Sequence, residues 1–252
     1  MKSAEVMMKH KVAMDKKVVF INSKILFFLI LMILMFTVST SAYNLEEYYP
    51  LSEGNSWTYA VAQGEDYHKE TFKIEGKESV EGTETIKMNV EDRVVYIAID
   101  SQGAKKYKES YKKGNKYEIY NPPLLLFPNN VEIGESEIRS VDSILYNSNG
   151  VTIEKASGNG NITLKSKEDK EVPAGNFTNC LTFSSVMTWQ EPNNHYKEDC
   201  TVWLAPGIGK VEEYCFTTEY DRENKIKDTH AELSQLISAV INGAKIEPIN
   251  PP

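Results

Sequence analysis

The chain has 252 residues, with 28 Lys and Arg against 36 Asp and Glu and three cysteines. An acidic excess of this size excludes a general nucleic-acid binder, which presents a basic face to phosphates. The wide spacing of Cys180, Cys200 and Cys215 matches no zinc pattern, and neither a metal nor a cofactor is expected.

The first segment reads as an export signal. Lys9, Lys11, Lys16, Lys17 and Lys24 precede an apolar run of 14 residues, Ile25 to Val38, which ends in the small residues Thr40, Ser41 and Ala42. A bilayer span needs about 20 apolar residues, so cleavage after Ala42 is expected. The alternative is an uncleaved signal anchor in residues 1–42, which would then be the chain's membrane contact. Met7, Met8 and Met14 are alternative starts. Export places the rest of the chain in the periplasm or outside the cell, where cysteines oxidise. Removing six lysines and two acids from totals of 28 and 36 leaves 22 against 34, a net charge of about −12. Residues 43–246 suit one β domain, and the tail 247–252, EPINPP, is expected to be disordered.

From Tyr48 the pattern is strands and turns. Pro50 and Gly54 make a turn before an alternating run in which Trp57 and Tyr59 share a face. Further strands are predicted at Lys69 to Ile74, Thr83 to Val90, Arg93 to Ile99, Lys105 to Tyr111, Lys116 to Tyr120, Val151 to Ala156 and Ile162 to Lys167. Turn signals separate them at Glu75-Gly76, Glu81-Gly82, Gly114-Asn115 and Ser157 to Asn161. This spacing predicts an all-β antiparallel meander curved into a half-barrel or open barrel.

Two stretches interrupt the regularity. The Lys105 to Tyr120 hairpin interleaves six lysines with Tyr107, Tyr111 and Tyr117, a pattern that fits an anionic ligand or lipid, or a solvated hairpin whose lysines guard an edge. Next, Pro122, Pro123 and Pro128 bracket Leu124, Leu125, Leu126 and Phe127. Proline lacks a backbone donor, so a central strand is not expected there. A loop carrying four large apolar side chains either plugs one end of the β core or forms a lid over an apolar cavity.

The stretch Val172 to Cys215 carries the clearest turn chemistry. Pro173 and Pro206 occupy second positions of β-turns, and Gly207 fits the third position of a type II turn. On the strand between them Leu181, Phe183, Ser185 and Met187 fall on one side and Cys180, Thr182 and Val186 on the other. A reversal at Glu191 to Asn194 leads into Tyr196 to Leu204. If Ala205 pairs with Lys210, Cys200 lies opposite Cys215, close enough for a disulfide. Cys180 with Cys200 is the rival pairing. The apolar spacing of Leu233, Leu236, Ile237 and Val240 fits a helix, but a closing strand from about Lys225 to Leu236 fits the meander better.

The segments Tyr49-Pro50-Leu51 with Gly54-Asn55-Ser56-Trp57, PPLLLFP, VPAGNFTNCL and WLAPGIGKV, in this order, resemble a group of exported bacterial β-rich proteins of unknown function. More distantly the chain is similar to the half-barrels of lipoprotein carriers and lipid-binding envelope proteins. One departure is Glu137, three residues after Gly134, where that group tends to have tryptophan. The resemblance implies a fold and no chemistry.

No GxSxG, HExxH or glycine-rich phosphate loop is present, and His68, His195 and His230 stand far apart. No catalytic residue is assigned and an enzyme is not expected. Two functions from different classes remain. One is a binding or carrier module for a lipid or other apolar or amphipathic ligand, lined by Trp57, Tyr59, Trp189 and Trp203 together with Leu124, Leu125, Leu126 and Phe127. The other is a structural or protein-interaction component of the cell envelope, with a protein partner.

Overall fold

A computed structural model describes residues 43–248, so the export signal and the last four residues of the tail lie outside the described part. Among the described residues thirteen strands follow one another in a single antiparallel sheet, each paired with the next. They are β1 (Ser56–Gln63), β2 (Asp66–Val80), β3 (Thr83–Val90), β4 (Arg93–Asp100), β5 (Gly103–Tyr111), β6 (Lys116–Pro128) and β7 (Ser136–Asn147). Then come β8 (Thr152–Val172), β9 (Gly175–Gln190), β10 (His195–Ala205), β11 (Gly209–Tyr220), β12 (Ile226–Ile241) and the short β13 (Ala244–Ile246).

The expected half-barrel is a closed barrel. β12 pairs with β1 along the whole of Ser56–Gln63, so twelve strands form a ring and β13 folds back on β12. Alternation along a strand reads the same whether its far edge is paired or free, so closure left no local mark on the sequence.

Three strands run through positions that read as breaks. β2 continues across Glu75-Gly76 by a bulge, with Gly76 at φ 128°. β8 continues through Ser157 to Asn161, where Gly160 pairs with Met187 and Gly158 with Trp189. β6 continues past Pro122 and Pro123, following a cis Asn121–Pro122 peptide. Its pairing with β7 ends at Asn121, and pairing with β5 skips from Ile119 to Leu124. The prolines therefore sit in a bulge where no ladder hydrogen bond is due. Beyond them Leu124–Pro128 pairs with β5 alone, which leaves a seam between β6 and β7.

The turn after β10 forms as type II, with Ile208 N donating to Ala205 O and Gly207 at φ 73°. Ala205 pairs with Gly209 rather than Lys210, and a one-residue bulge at Val211 restores the register, so that Cys200 still faces Cys215. The two form a disulfide with Cα atoms 4.1 Å apart, while Cys180 is free and buried. The Cys180–Cys200 alternative fails because β9 sets Ser185, not Cys180, opposite Cys200. The last apolar stretch is a strand, longer than expected, and turns at Asn242-Gly243 into β13.

The strand register fixes what points inwards. Trp57, Tyr59 and Val61 on β1 share the inner face with Leu181, Phe183 and Met187 on β9 and with Val202 and Leu204 on β10, all of them buried. Eight-stranded barrels are filled by side chains and barrels of sixteen or more leave a channel, so a ring of twelve is expected to be partly filled. One end is sealed by the segment ahead of β1, which contains a single-turn helix, α1 (Leu45–Tyr48). Asn44 caps α1 through a bond from Glu46 N, and Leu45 and Tyr48 are buried. Tyr43 donates to Pro128 O at 2.5 Å and Leu45 N to Asn129 Oδ1 at 3.2 Å, pinning the segment to the end of β6. The sealing role expected of Leu124 to Phe127 thus belongs mainly to Tyr43–Leu51. Phe127 assists by an edge contact with Tyr49 and a tilted contact with Phe183.

Candidate functional site

Beyond the sealed end the lumen holds an apolar cavity of about 160 Å³, lined mainly by Trp57, Tyr59, Phe72, Met88, Leu126 and Phe127. The polar tips of its aromatics are directed elsewhere. Trp57 Nε1 donates to Ile208 O at 2.5 Å and the Tyr59 hydroxyl to Lys210 O at 2.8 Å, so both polar tips are satisfied by backbone carbonyls. Burial pushes the Tyr59 phenol far above its usual range, so it stays a neutral donor. One ion pair borders the cavity: Lys210 Nζ lies 2.5 Å from Glu213 and about 5.0 Å from the Tyr59 ring centre. The site can take an apolar group and meet one polar end with a charge.

A belt of charge crosses the lumen farther along. Arg93 lies between Glu70 at 3.1 Å and Glu109 at 3.4 Å, and Lys106 Nζ reaches Glu109 at 2.8 Å. Tyr120 donates to Glu118 at 2.8 Å, as does Tyr111 at 3.1 Å. Burial acts to raise the Glu109 carboxyl, but Lys106 and Arg93 outweigh it and hold the group below the usual carboxylate range. Tyr120 is pushed far up by burial and by the carboxylates of Glu118 and Glu109.

At the end opposite α1 a wider cavity of about 440 Å³ is lined by residues in and beside the hairpin turns, among them Asp92, Lys113, Lys116, Glu154 and Glu191. Glu191 is raised by burial and by Glu154, Glu219 and Glu118, against a hydrogen bond from Tyr196 that lowers it. Around this mouth the carboxylates Asp92, Glu118, Glu154 and Glu191 outnumber the lysines Lys113 and Lys116.

Of the eight side chains expected to line a ligand site, Trp57, Tyr59, Leu126 and Phe127 meet at the inner apolar cavity. Leu124 and Leu125 instead border a cleft at the β6–β7 seam. Trp189 belongs to a second cluster with Tyr120, Leu124, Val141 and Met187, its Nε1 bound to Glu198 at 2.9 Å. Trp203 is on the outer face of β10, bonded to Glu168 at 2.8 Å with Lys170 Nζ 3.8 Å above its ring. It sits one residue out of phase with the inward Val202 and Leu204, which alternation alone discloses. Phe72 and Met88 were missed because each stands among polar and charged neighbours; their signal is the cross-strand register that places Phe72 opposite both Trp57 and Val90.

Of the six lysines of the Lys105 to Tyr120 hairpin, Lys113 and Lys116 border the wider cavity and the other four are engaged separately. Lys105 pairs with Asp100, Lys106 enters the belt, Lys108 sits over Tyr96 and Tyr117, and Lys112 binds Asn89 and the Glu91 carbonyl. Nor do they guard an edge, since β5 is paired on both sides. Cys200, Glu213 and Cys215 place possible ligand atoms within 4.8 Å of one another, but both sulfurs are committed to the disulfide.

No protein-family model matches the chain, and no curated protein matches it. Among solved structures it is similar to a protein from Bacteroides fragilis, described as exported and having a YmcC-like fold. The identity is 14%, the TM-score 0.43, and the match covers 75% of this chain and 96% of that one. A second, from Parabacteroides distasonis and described as a lipoprotein, matches with 14% identity and a TM-score of 0.40 over 75% of this chain and 97% of that one. Similarity this distant assigns neither a family nor a function.

Proposed function

We propose that the protein is an exported, non-catalytic binding or carrier module that holds an apolar group, or the apolar end of an amphipathic molecule, inside its barrel. The observation that carries this reading is the inner cavity, where Trp57, Tyr59, Leu126 and Phe127 converge with Phe72 and Met88 beside one ion pair. A concave apolar site with few polar groups is the usual form of a small-molecule site. Its volume of about 160 Å³ sets the size of what it takes. An engineered apolar cavity of ~150 Å³ binds benzene, so the buried part is a ring or a short chain, not a whole lipid. Export is supported by the basic and apolar segment ahead of residue 43 and by the Cys200–Cys215 disulfide, which persists in oxidising compartments.

Native mass spectrometry of the protein taken from its own host tests the reading. An adduct is expected, and Met88→Trp, which fills the cavity, should remove it. An empty protein, or an adduct retained by a folded Met88→Trp variant, contradicts it.

A further inference from the structure

We propose that the seam between β6 and β7 is an anion-binding site, with the Arg139 guanidinium as the recognising group. Arg139 lies on β7 opposite Gly160 and is only 8% exposed. Its Nη1 donates to Leu125 O at 3.4 Å and its Nη2 to Asn161 O at 3.2 Å, two neutral acceptors. A guanidinium has five N–H donors, and the buried Nε of Arg139 has no acceptor. Arg139 takes part in none of the ion pairs found among the described residues. Arg93, whose Nε likewise has no acceptor, lies between two carboxylates, so the missing ion pair is what sets Arg139 apart. Burial lowers the Arg139 pKa to about 10 even though Glu198 acts in the other direction. Glu198 makes no ion pair with it and accepts from Trp189 instead.

This under-satisfied cation borders a cleft of about 440 Å³, within the range of small-molecule sites, alongside Leu125, Asn129 and Ser140. Two other charges line the same cleft. Lys105 is neutralised by Asp100 at 2.8 Å and also held by Gln102. Glu137, two residues from Arg139 and exposed, is the competing anion, and it makes no ion pair with the guanidinium. A carboxylate or phosphate oxygen on the ligand would accept from the guanidinium, whose fork recognises both groups, once the side chain turns its enclosed Nε toward the cleft. Addition of a peptide strand at the same seam is disfavoured. Pro122 and Pro123 offer no N–H, and Arg139 already occupies the Leu125 carbonyl. The site is separate from the inner cavity, and its occupancy does not depend on a ligand there.

The test follows the Arg139 Nε–Hε resonance of ¹⁵N-labelled protein, assigned by its loss in Arg139→Lys, during titration with acetate or inorganic phosphate at constant ionic strength. A saturable shift with at least one anion is expected, with several-fold tighter binding in Glu137→Gln, where the rival carboxylate is gone from an exposed position. A response to acetate alone identifies a carboxylate ligand, and a response to phosphate alone a phosphate. A resonance that stays fixed with both anions in wild type and in Glu137→Gln, or that moves equally with chloride, overturns the proposal.

Discussion

Glu109 lies between Lys106 and Arg93 with its side chain only 6% exposed, and its ionised form is the one the fold favours. A carboxyl whose folded pKa is depressed contributes stability in full above its unfolded value of about 4.3, and loses it as pH falls through the folded value. Urea midpoints measured from pH 7 down to pH 3 should therefore fall on the acid side. Glu109→Gln should be less stable by about 3 kcal/mol at pH 7, because it strands a half-buried Lys106, and should show a flatter acid slope. Equal slopes for the two proteins would remove Glu109 from the charge balance. Gly160 offers a second test, because a Cβ there would meet Val186 O at 2.0 Å and Met187 Cα at 2.8 Å, both backbone atoms. At Gly158 the nearest atoms all belong to side chains, the flexible end of Met187 at 2.5 Å and the Trp189 ring at 2.8 Å. Gly160→Ala should lower the unfolding free energy in chemical denaturation more than Gly158→Ala, by a margin of more than about 2 kcal/mol. In the sequence these glycines read as a turn, since a glycine that permits close strand approach and one that permits reversal are the same letter.

Turn chemistry makes most hairpins legible from residue type alone. Pro173-Ala174 and Pro206-Gly207 set their turns by fixed φ and by tolerance of positive φ, and those preferences belong to the residues themselves. The Cys200–Cys215 pairing was legible for a less direct reason: the turn is one residue tighter than expected and the bulge at Val211 compensates. With the two cysteines 15 residues apart, loop-closure entropy puts the disulfide at about 3 kcal/mol. Cys200→Ser should cost roughly that amount in chemical denaturation, whereas Cys180→Ser should leave the disulfide intact on non-reducing peptide mapping. β6 was the misread element, because its prolines obey the rule for central strands only by leaving the ladder locally. The helix α1 itself went unread, since four helical residues give no periodicity. Leu45, fully buried in it, should cost about 2–5 kcal/mol when changed to Ala. A loss below about 1 kcal/mol would show that α1 does not seal the barrel.

A meander of short strands is visible in alternation and turn spacing, but the number that close the ring is set by which edges meet. β1 and β12 lie at opposite ends of the described chain, and nothing in either requires the other. Closure decides where the site is. It gathers Trp57 and Tyr59 from β1, Phe72 from β2, Met88 from β3 and Leu126 with Phe127 from β6 around one cavity, while Trp189 and Trp203, equally conspicuous in sequence, belong elsewhere. It also separates the interior into an apolar part near α1, a charged belt and a mouth rich in carboxylates, which together favour a molecule with one apolar end. The most direct measurement uses a protein whose single tryptophan is Trp57, made by Trp189→Phe and Trp203→Phe, titrated with 1-hexanol while Trp57 emission is followed. A saturable change that reaches a plateau is the expected result, and a linear drift without saturation would contradict an apolar binding cavity inside the barrel.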